Sequence, residues 1–197
     1  MKREQLMNGE FTRAVEALRA GKPVVFPTDT VYGLGVSVRH APSLQAIYDI
    51  KRRDAGKPVA WLVGSAAALE EYGEDVPAYA LKLAETHWPG ALTVIVKAND
   101  NVPAAFRSEA GTIGLRMPNS ETALKLIEAV GSPLAVSSAN RSGCADASSA
   151  DALDETVLRE AAVVVLGDTP GGGVASTVID CSRGDPVVVR QGHIVVT

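Results

Sequence analysis

The densest run of charge in the chain is Lys51-Arg52-Arg53, with Lys57 four residues further on. These four cations sit where a helical period gives way to Asp54-Ala55-Gly56-Lys57-Pro58. Arg offers a planar two-pronged fork and Lys a point charge, so Lys51, Arg53 and Lys57 would suit a polyphosphate. The same run also suits an ordinary helix C-terminus, where cations meet the dipole and solvate freely. A second group, Ser137-Ser138-Ala139-Asn140-Arg141-Ser142-Gly143, directly follows a strand-like segment. Hydroxyls and an amide at a strand exit lie where open α/β sheets place ligands, although a capped turn has the same composition. A third, Pro27-Thr28-Asp29-Thr30-Val31-Tyr32-Gly33-Leu34-Gly35, exposes hydroxyl and backbone groups. It reads as an Asx- or ST-type turn before a strand, or as one wall of a polar pocket. Arg116 lies inside an apolar segment and Arg190 ends another. An arginine in either place is costly unless it meets an anion or a carboxylate.

Much familiar chemistry is excluded. There is no Gly-x-x-x-x-Gly-Lys-Ser/Thr loop, and Gly33 and Gly35 do not extend to a dinucleotide fingerprint. No Gly-x-Ser-x-Gly elbow is present. Cys144 and Cys181 make neither a disulfide framework nor a zinc site, and His40, His87 and His193 lack ligand spacing. The 197 residues are 46% hydrophobic and 21% charged, with a net charge of −4. An acidic balance disfavours bulk grip on nucleic acid, so any basic chemistry is local. The apolar runs are too short to span a bilayer, and the N-terminus has no signal core, so a cytoplasmic location is expected.

Periodicity places these groups on alternating helices and strands. Helices are expected over 10–20, 42–52, 77–87, 120–130 and 149–160. The fourth is capped by Asn119 or Ser120 and closed by Gly131. Strands are expected over 23–26, 59–63, 91–96, 112–117, 133–137, 162–166, 176–180, 187–190 and 193–196. Trp88-Pro89-Gly90 reads as a structural turn with Trp88 in the core. Segments 139–150 and 167–175 read as loops. The expected fold is a single α/β domain over 1–197: a twisted mixed sheet flanked by helices.

The ordered set PTDTVYGLG, KRRDAGKP, WPGALTVIV, TIGLRMP, SSANRSG, STVID and VVVRQG, from about Pro23 to Gly192, resembles the YrdC/TsaC family of L-threonylcarbamoyladenylate synthases. Each motif is weak alone; the ordered set is specific. The family's Lys-x-Arg and Ser-x-Asn patterns fall on Lys51, Arg53, Ser138 and Asn140. The resemblance implies the short, single-domain form, with a positively lined cavity. It implies that L-threonine, bicarbonate and ATP give threonylcarbamoyl-AMP and pyrophosphate, for modification of an adenosine in tRNA. Catalytic roles fall on Lys51, Arg53, Ser138 and Asn140. The threonine site falls on Thr30, Arg116, Ser138 and Ser176. The nucleotide site falls on Arg53, Lys57, Thr112, Asn140, Ser148 and Arg190. No protein metal cage is implied, and Mg2+ is expected on the substrate phosphates. Expected partners are ATP, threonine, bicarbonate and the proteins that pass the product to tRNA, with tRNA contact conceivable and no membrane contact.

The resemblance implies an uncomplicated chemistry: the threonine amine forms a carbamate, whose oxygen attacks the α-phosphate and expels pyrophosphate. No covalent intermediate is needed, and 139–150 and 167–175 are the candidate closing loops. Two departures stand out. Asp54 follows Arg53 where the family often has proline, and would place a negative charge beside the clamp. Leu62 stands where some members have histidine. Three other readings compete: an RNA-binding protein of the same fold, a paralogue making a different carbamoyl adenylate, and a non-catalytic subunit. YciO-like paralogues share the TIGLR- and VVVR-type segments but depart at Lys-x-Arg and Ser-x-Asn.

Overall fold

The computed structural model describes residues 2–167 and 173–196, with side chains from residue 9 onward. The strands are β1 (Val24–Phe26), β2 (Gly33–Ser37), β3 (Ala60–Leu62), β4 (Leu92–Lys97), β5 (Thr112–Arg116), β6 (Leu134–Ser138), β7 (Val163–Val164), β8 (Thr177–Asp180) and β9 (Val187–Arg190). The helices are α1 (Lys2–Arg19), α2 (Gln45–Lys51), α3 (Ala68–Tyr72), α4 (Ala78–His87), α5 (Glu121–Val130) and α6 (Glu155–Glu160). Among the described residues the strands join one mixed sheet in the order β7-β1-β2-β6-β3-β5-β4-β8-β9. Parallel pairs (β1–β7, β3–β5, β4–β8) are interspersed with antiparallel ones.

Alternation along the strands divides the core between the two faces of the sheet. Val24 and Phe26 pack with Ala14 and Leu18 of α1 and with Leu126, Ile127 and Val130 of α5. Val25 points the other way, into the larger cluster with Leu34, Ile47, Trp61 and Leu92. β3 repeats the division, with Leu62 on the first side and Trp61 on the second. The caps of α5 are those expected: the Ser120 hydroxyl accepts from the Ala123 N–H at 3.3 Å, and Gly131 takes φ 71°. Gly33 and Gly35 serve packing. A Cβ at Gly33 would lie 2.6 Å from Val136 Cγ1, and one at Gly35 2.9 Å from Val136 Cγ2. No described helix is long and apolar enough to cross a membrane.

Several expectations need correction. α2 begins at Gln45, not at 42. The expected helix over 149–160 splits into a short turn at Ala150–Ala152 and α6. Asp154 between them is extended, and its carboxylate caps the Thr156 N–H at 2.8 Å. Residues 193–196 form no strand. There the Thr177 hydroxyl accepts from the Gly192 N–H at 3.0 Å and donates to the Ile194 carbonyl at 2.5 Å, in place of a ladder. α3 was not foreseen. It is held by Tyr72, whose ring meets buried Trp61 edge-on at 5.2 Å.

Candidate functional site

Arg52 is the hinge of the cation run. It ends α2 in the left-handed region (φ 50°, ψ 46°). This throws its own side chain out to Glu160, at 3.1 Å, while Lys51 and Arg53 turn inward. Arg53 donates to the Ser137 hydroxyl at 3.1 Å and to the Pro58 carbonyl at 3.2 Å. Its Nε is buried with no protein acceptor. Lys51 is 2% exposed. Its ammonium binds the carbonyls of Ser138 and Asn140 and the Asn140 Oδ1. Burial, reinforced by the charge of Arg53, pulls its pKa down to about 8.

These bonds fasten the segment after β6. The Ser138 hydroxyl donates to Asn140 Oδ1 at 2.5 Å, and Asn140 Nδ2 donates to the Cys144 carbonyl at 2.6 Å. Ser142 N–H reaches the Lys51 carbonyl at 2.9 Å. The Tyr32 N–H reaches the Ala147 carbonyl, also at 2.9 Å. Residues 139–147 therefore form a tied wall. The other expected closing loop, 167–175, lies mostly outside the described residues.

Arg116 comes from the end of β5, with a side chain 7% exposed. It donates to the Gly90 carbonyl and to the Thr30 hydroxyl, both at 3.0 Å, and pairs with the Asp29 carboxylate. The Trp88-Pro89-Gly90 turn thus reaches the site, and Trp88 is buried as expected. Burial lowers the pKa of Arg116, with Asp29 opposing. A guanidinium titrates so high that it stays charged. Thr28 Oγ1 lies 3.1 Å from Thr30 Oγ1 and donates to the Val31 carbonyl at 2.6 Å. Arg190 arrives from the edge strand β9 and donates to the Ser176 carbonyl at 3.0 Å and hydroxyl at 3.1 Å. Ser176 in turn shares a proton with Thr93 at 2.9 Å. The Gly192 backbone packs so closely against Ala175–Thr177 that a Cβ would lie 2.2 Å from the Ala175 carbonyl oxygen.

All of this surrounds one cavity of about 310 Å³. Thr30, Arg53, Thr112, Arg116, Ser138, Ser176 and Arg190 line it, bringing together most of the expected site residues. Lys51 and Asn140 stand behind the wall and hold Ser138 in place. Lys57 stands apart from the other expected residues. It does not line the cavity; its ammonium is exposed and lies 3.4 Å from Asp54. Asp54 therefore engages Lys57 instead of crowding the clamp. Ser148 is exposed and lies off the lining, whereas Asp146 is in it. Thr28 lines the cavity as part of the wall expected from its segment; Thr93, hidden in the apolar run of β4, lines it too and was not expected. Leu62 lines the cavity beside its strand partner Arg116. Among the described residues, no cluster of three or more His, Cys, Asp or Glu could hold a metal.

The arrangement suits an anionic ligand with several acceptor groups. Four arginines line a cavity of small-molecule size, and Arg53, Arg116 and Arg190 are each bonded to a hydroxyl. The P. abyssi Sua5 crystal structure complexed with L-threonine superposes with a TM-score of 0.86 at 36% identity, covering 93% of this chain and 54% of that one. The E. coli YciO crystal structure gives 0.78 at 30% identity, covering 92% and 88%. The threonylcarbamoyl-AMP synthase of Pyrococcus abyssi is 36% identical over 192 residues, which is 98% of this chain and 56% of that protein. This chain thus spans little more than half the length of that relative. A family model described as telomere recombination (Sua5/YciO/YrdC) matches residues 16–192, and so the chain belongs to the Sua5/YciO/YrdC family.

Proposed function

We propose that this chain is a cytoplasmic threonylcarbamoyl-AMP synthase, a nucleotidyltransferase that joins L-threonine, bicarbonate and ATP and releases pyrophosphate. The observation that carries the reading is the convergence of Arg53, Arg116 and Arg190 on one cavity from distant parts of the chain. Arg116 has donors left beyond those spent on Asp29, Thr30 and Gly90, and these would take the threonine carboxylate. Thr30, Ser138 and Ser176 would meet the amino acid's other polar groups. Arg53 and Arg190 would hold the phosphates, and Thr112 the nucleoside side.

The chemistry then needs alignment more than a protein nucleophile. The neutral threonine amine attacks the bicarbonate carbon, giving a carbamate and water. A carbamate oxygen attacks the α-phosphorus, the bond to the β-phosphate oxygen breaks, and pyrophosphate leaves. Arg53 and Arg190 would stabilise charge on the phosphorus and the leaving group. Mg2+ bound to the phosphates would neutralise further charge. The product would pass to proteins that modify tRNA.

Pyrophosphate release from ATP tests the proposal. It should require both threonine and bicarbonate, and Arg53→Ala should lose at least about tenfold in kcat/KM while melting like the parent. Release independent of threonine, or an unchanged Arg53→Ala, would sink it. Leu62 gives the amino-acid end an apolar wall, which also favours a paralogue acting on another amine. Serine and valine in place of threonine separate the two.

A further inference from the structure

Thr28, Thr30 and Arg116 are buried side chains of the cavity wall, joined in a chain of bonds whose directions can be counted. A hydroxyl has one proton and two lone pairs. The Thr28 proton goes to the Val31 carbonyl at 2.6 Å. Thr28 Oγ1 also accepts from the Thr30 N–H at 3.2 Å. With that proton spent, the 3.1 Å contact between the two threonine hydroxyls runs one way: Thr30 donates and Thr28 accepts. Thr30 Oγ1 in turn accepts from Arg116 at 3.0 Å. Its proton and one lone pair are thereby committed, and the second lone pair is the one left for a ligand. Thr30 meets a ligand as an acceptor, not as a donor.

Arg116 beside it spends N–H groups on Gly90, Thr30 and Asp29 and keeps others for a carboxylate. The carboxylate and the amine of an α-amino acid sit on one carbon. Both ends therefore fit a guanidinium nitrogen and a hydroxyl oxygen that lie 3.0 Å apart. Asp29 is not in the lining, and its carboxylate is paired with Arg116. A carboxylate acceptor would favour the ammonium, which has no lone pair for attack on a carbon centre. A hydroxyl acceptor is neutral and takes the free amine without that bias. We infer that Thr28 is a positioning residue that fixes Thr30 as the acceptor for the amine of an α-amino acid. It thereby selects amino acids over acids that carry an acceptor on the same carbon. The inference rests on the amino-acid reading of the cavity above.

The test is the preference of the full chain for L-2-aminobutyrate over 2-oxobutyrate, measured by calorimetry, with L-threonine as the reference ligand. The two acids share a skeleton, but one offers donors on the second carbon and the other only an acceptor. The parent should prefer the amine by at least about tenfold. In Thr28→Val the Thr30 proton is released and can turn to the ligand. That variant should bind the oxo acid more tightly than the parent does, and the preference should fall at least about fivefold. A gain of this kind is not what a loosened turn would give. Thr28→Ser keeps the hydroxyl and should keep the preference. Thr30→Val should lose the preference through the amine alone, with no gain for the oxo acid, and it tests the acceptor even where Thr28→Val does not fold. An unchanged preference in either valine variant overturns the inference. Equal weakening of both ligands in Thr28→Val also overturns it, and makes Thr28 a prop of the turn only. A parent that binds threonine yet shows no preference for the amine overturns the inference and leaves the amino-acid reading standing. A parent that binds none of the three overturns that reading, and this inference with it.

Discussion

Replacing Asp29 by Asn removes the negative charge from a pair whose side chains are 7% and 12% exposed. Arg116 keeps its bonds to Gly90 and Thr30 but loses the carboxylate that offsets its burial. Breaking a buried pair by removing one partner costs about 3–5 kcal/mol, because a buried charge is left uncompensated. Asn retains one acceptor, and the cavity admits water, so the lower end applies: about 3 kcal/mol. For a domain of this size each kcal/mol moves the melting temperature by about 2–4 °C. Asp29→Asn should therefore melt about 6–12 °C below the parent. Urea unfolding followed by circular dichroism gives the free energy directly. The double variant with Arg116→Met should recover part of the loss, since it leaves no stranded charge. Asp29→Asn within about 0.5 kcal/mol of the parent, or a double variant that simply adds the two losses, would refute the pairing argument.

Two further outcomes follow from residues around the same cavity. Lys51 has its pKa lowered to about 8 in the folded chain, from an unfolded value of 10.5. Between those values the unfolded chain holds the extra proton, so the contribution of this group to stability rises with pH. The stability of the parent relative to Lys51→Met should grow from pH 8 to pH 10 in urea titrations; a constant or shrinking difference contradicts burial as the cause. Gly33→Ala would bring a methyl 2.6 Å from Val136 Cγ1 and should cost about 1–3 kcal/mol. Val136→Ala in the same chain should return much of that in thermal melts, and no rescue would place the strain elsewhere.

The parts of this protein that were readable in advance are those decided locally. Ser120 and Gly131 bound α5 because caps act within one turn. β4 announces itself by a β-branched run. Arg116 and Arg190 were legible because an arginine in an apolar strand demands a partner. The remainder depends on contacts across the fold. α3 exists through Tyr72 against Trp61, and Trp61 is seven residues before its first residue. The choice between Asp146 and Ser148 lies in an aperiodic segment, whose path is set by Lys51, Asn140 and Tyr32. Nothing in the spacing of Lys57 tells that its ammonium lies 3.4 Å from the exposed Asp54. Thr93 looks like any strand threonine until β8 brings Ser176 beside it.

The bonds that build the cavity join residues far apart along the chain. Arg116 meets Thr30 across 86 positions, Lys51 meets Asn140 across 89, and Thr93 meets Ser176 across 83. Such closures are slow, since chain entropy is spent before the contacts repay it. During synthesis on the ribosome, no nascent fragment that stops short of Arg190 owns the whole recess. Completion of the recess is thereby deferred until translation has passed that residue, and a clipped product lacks part of its wall.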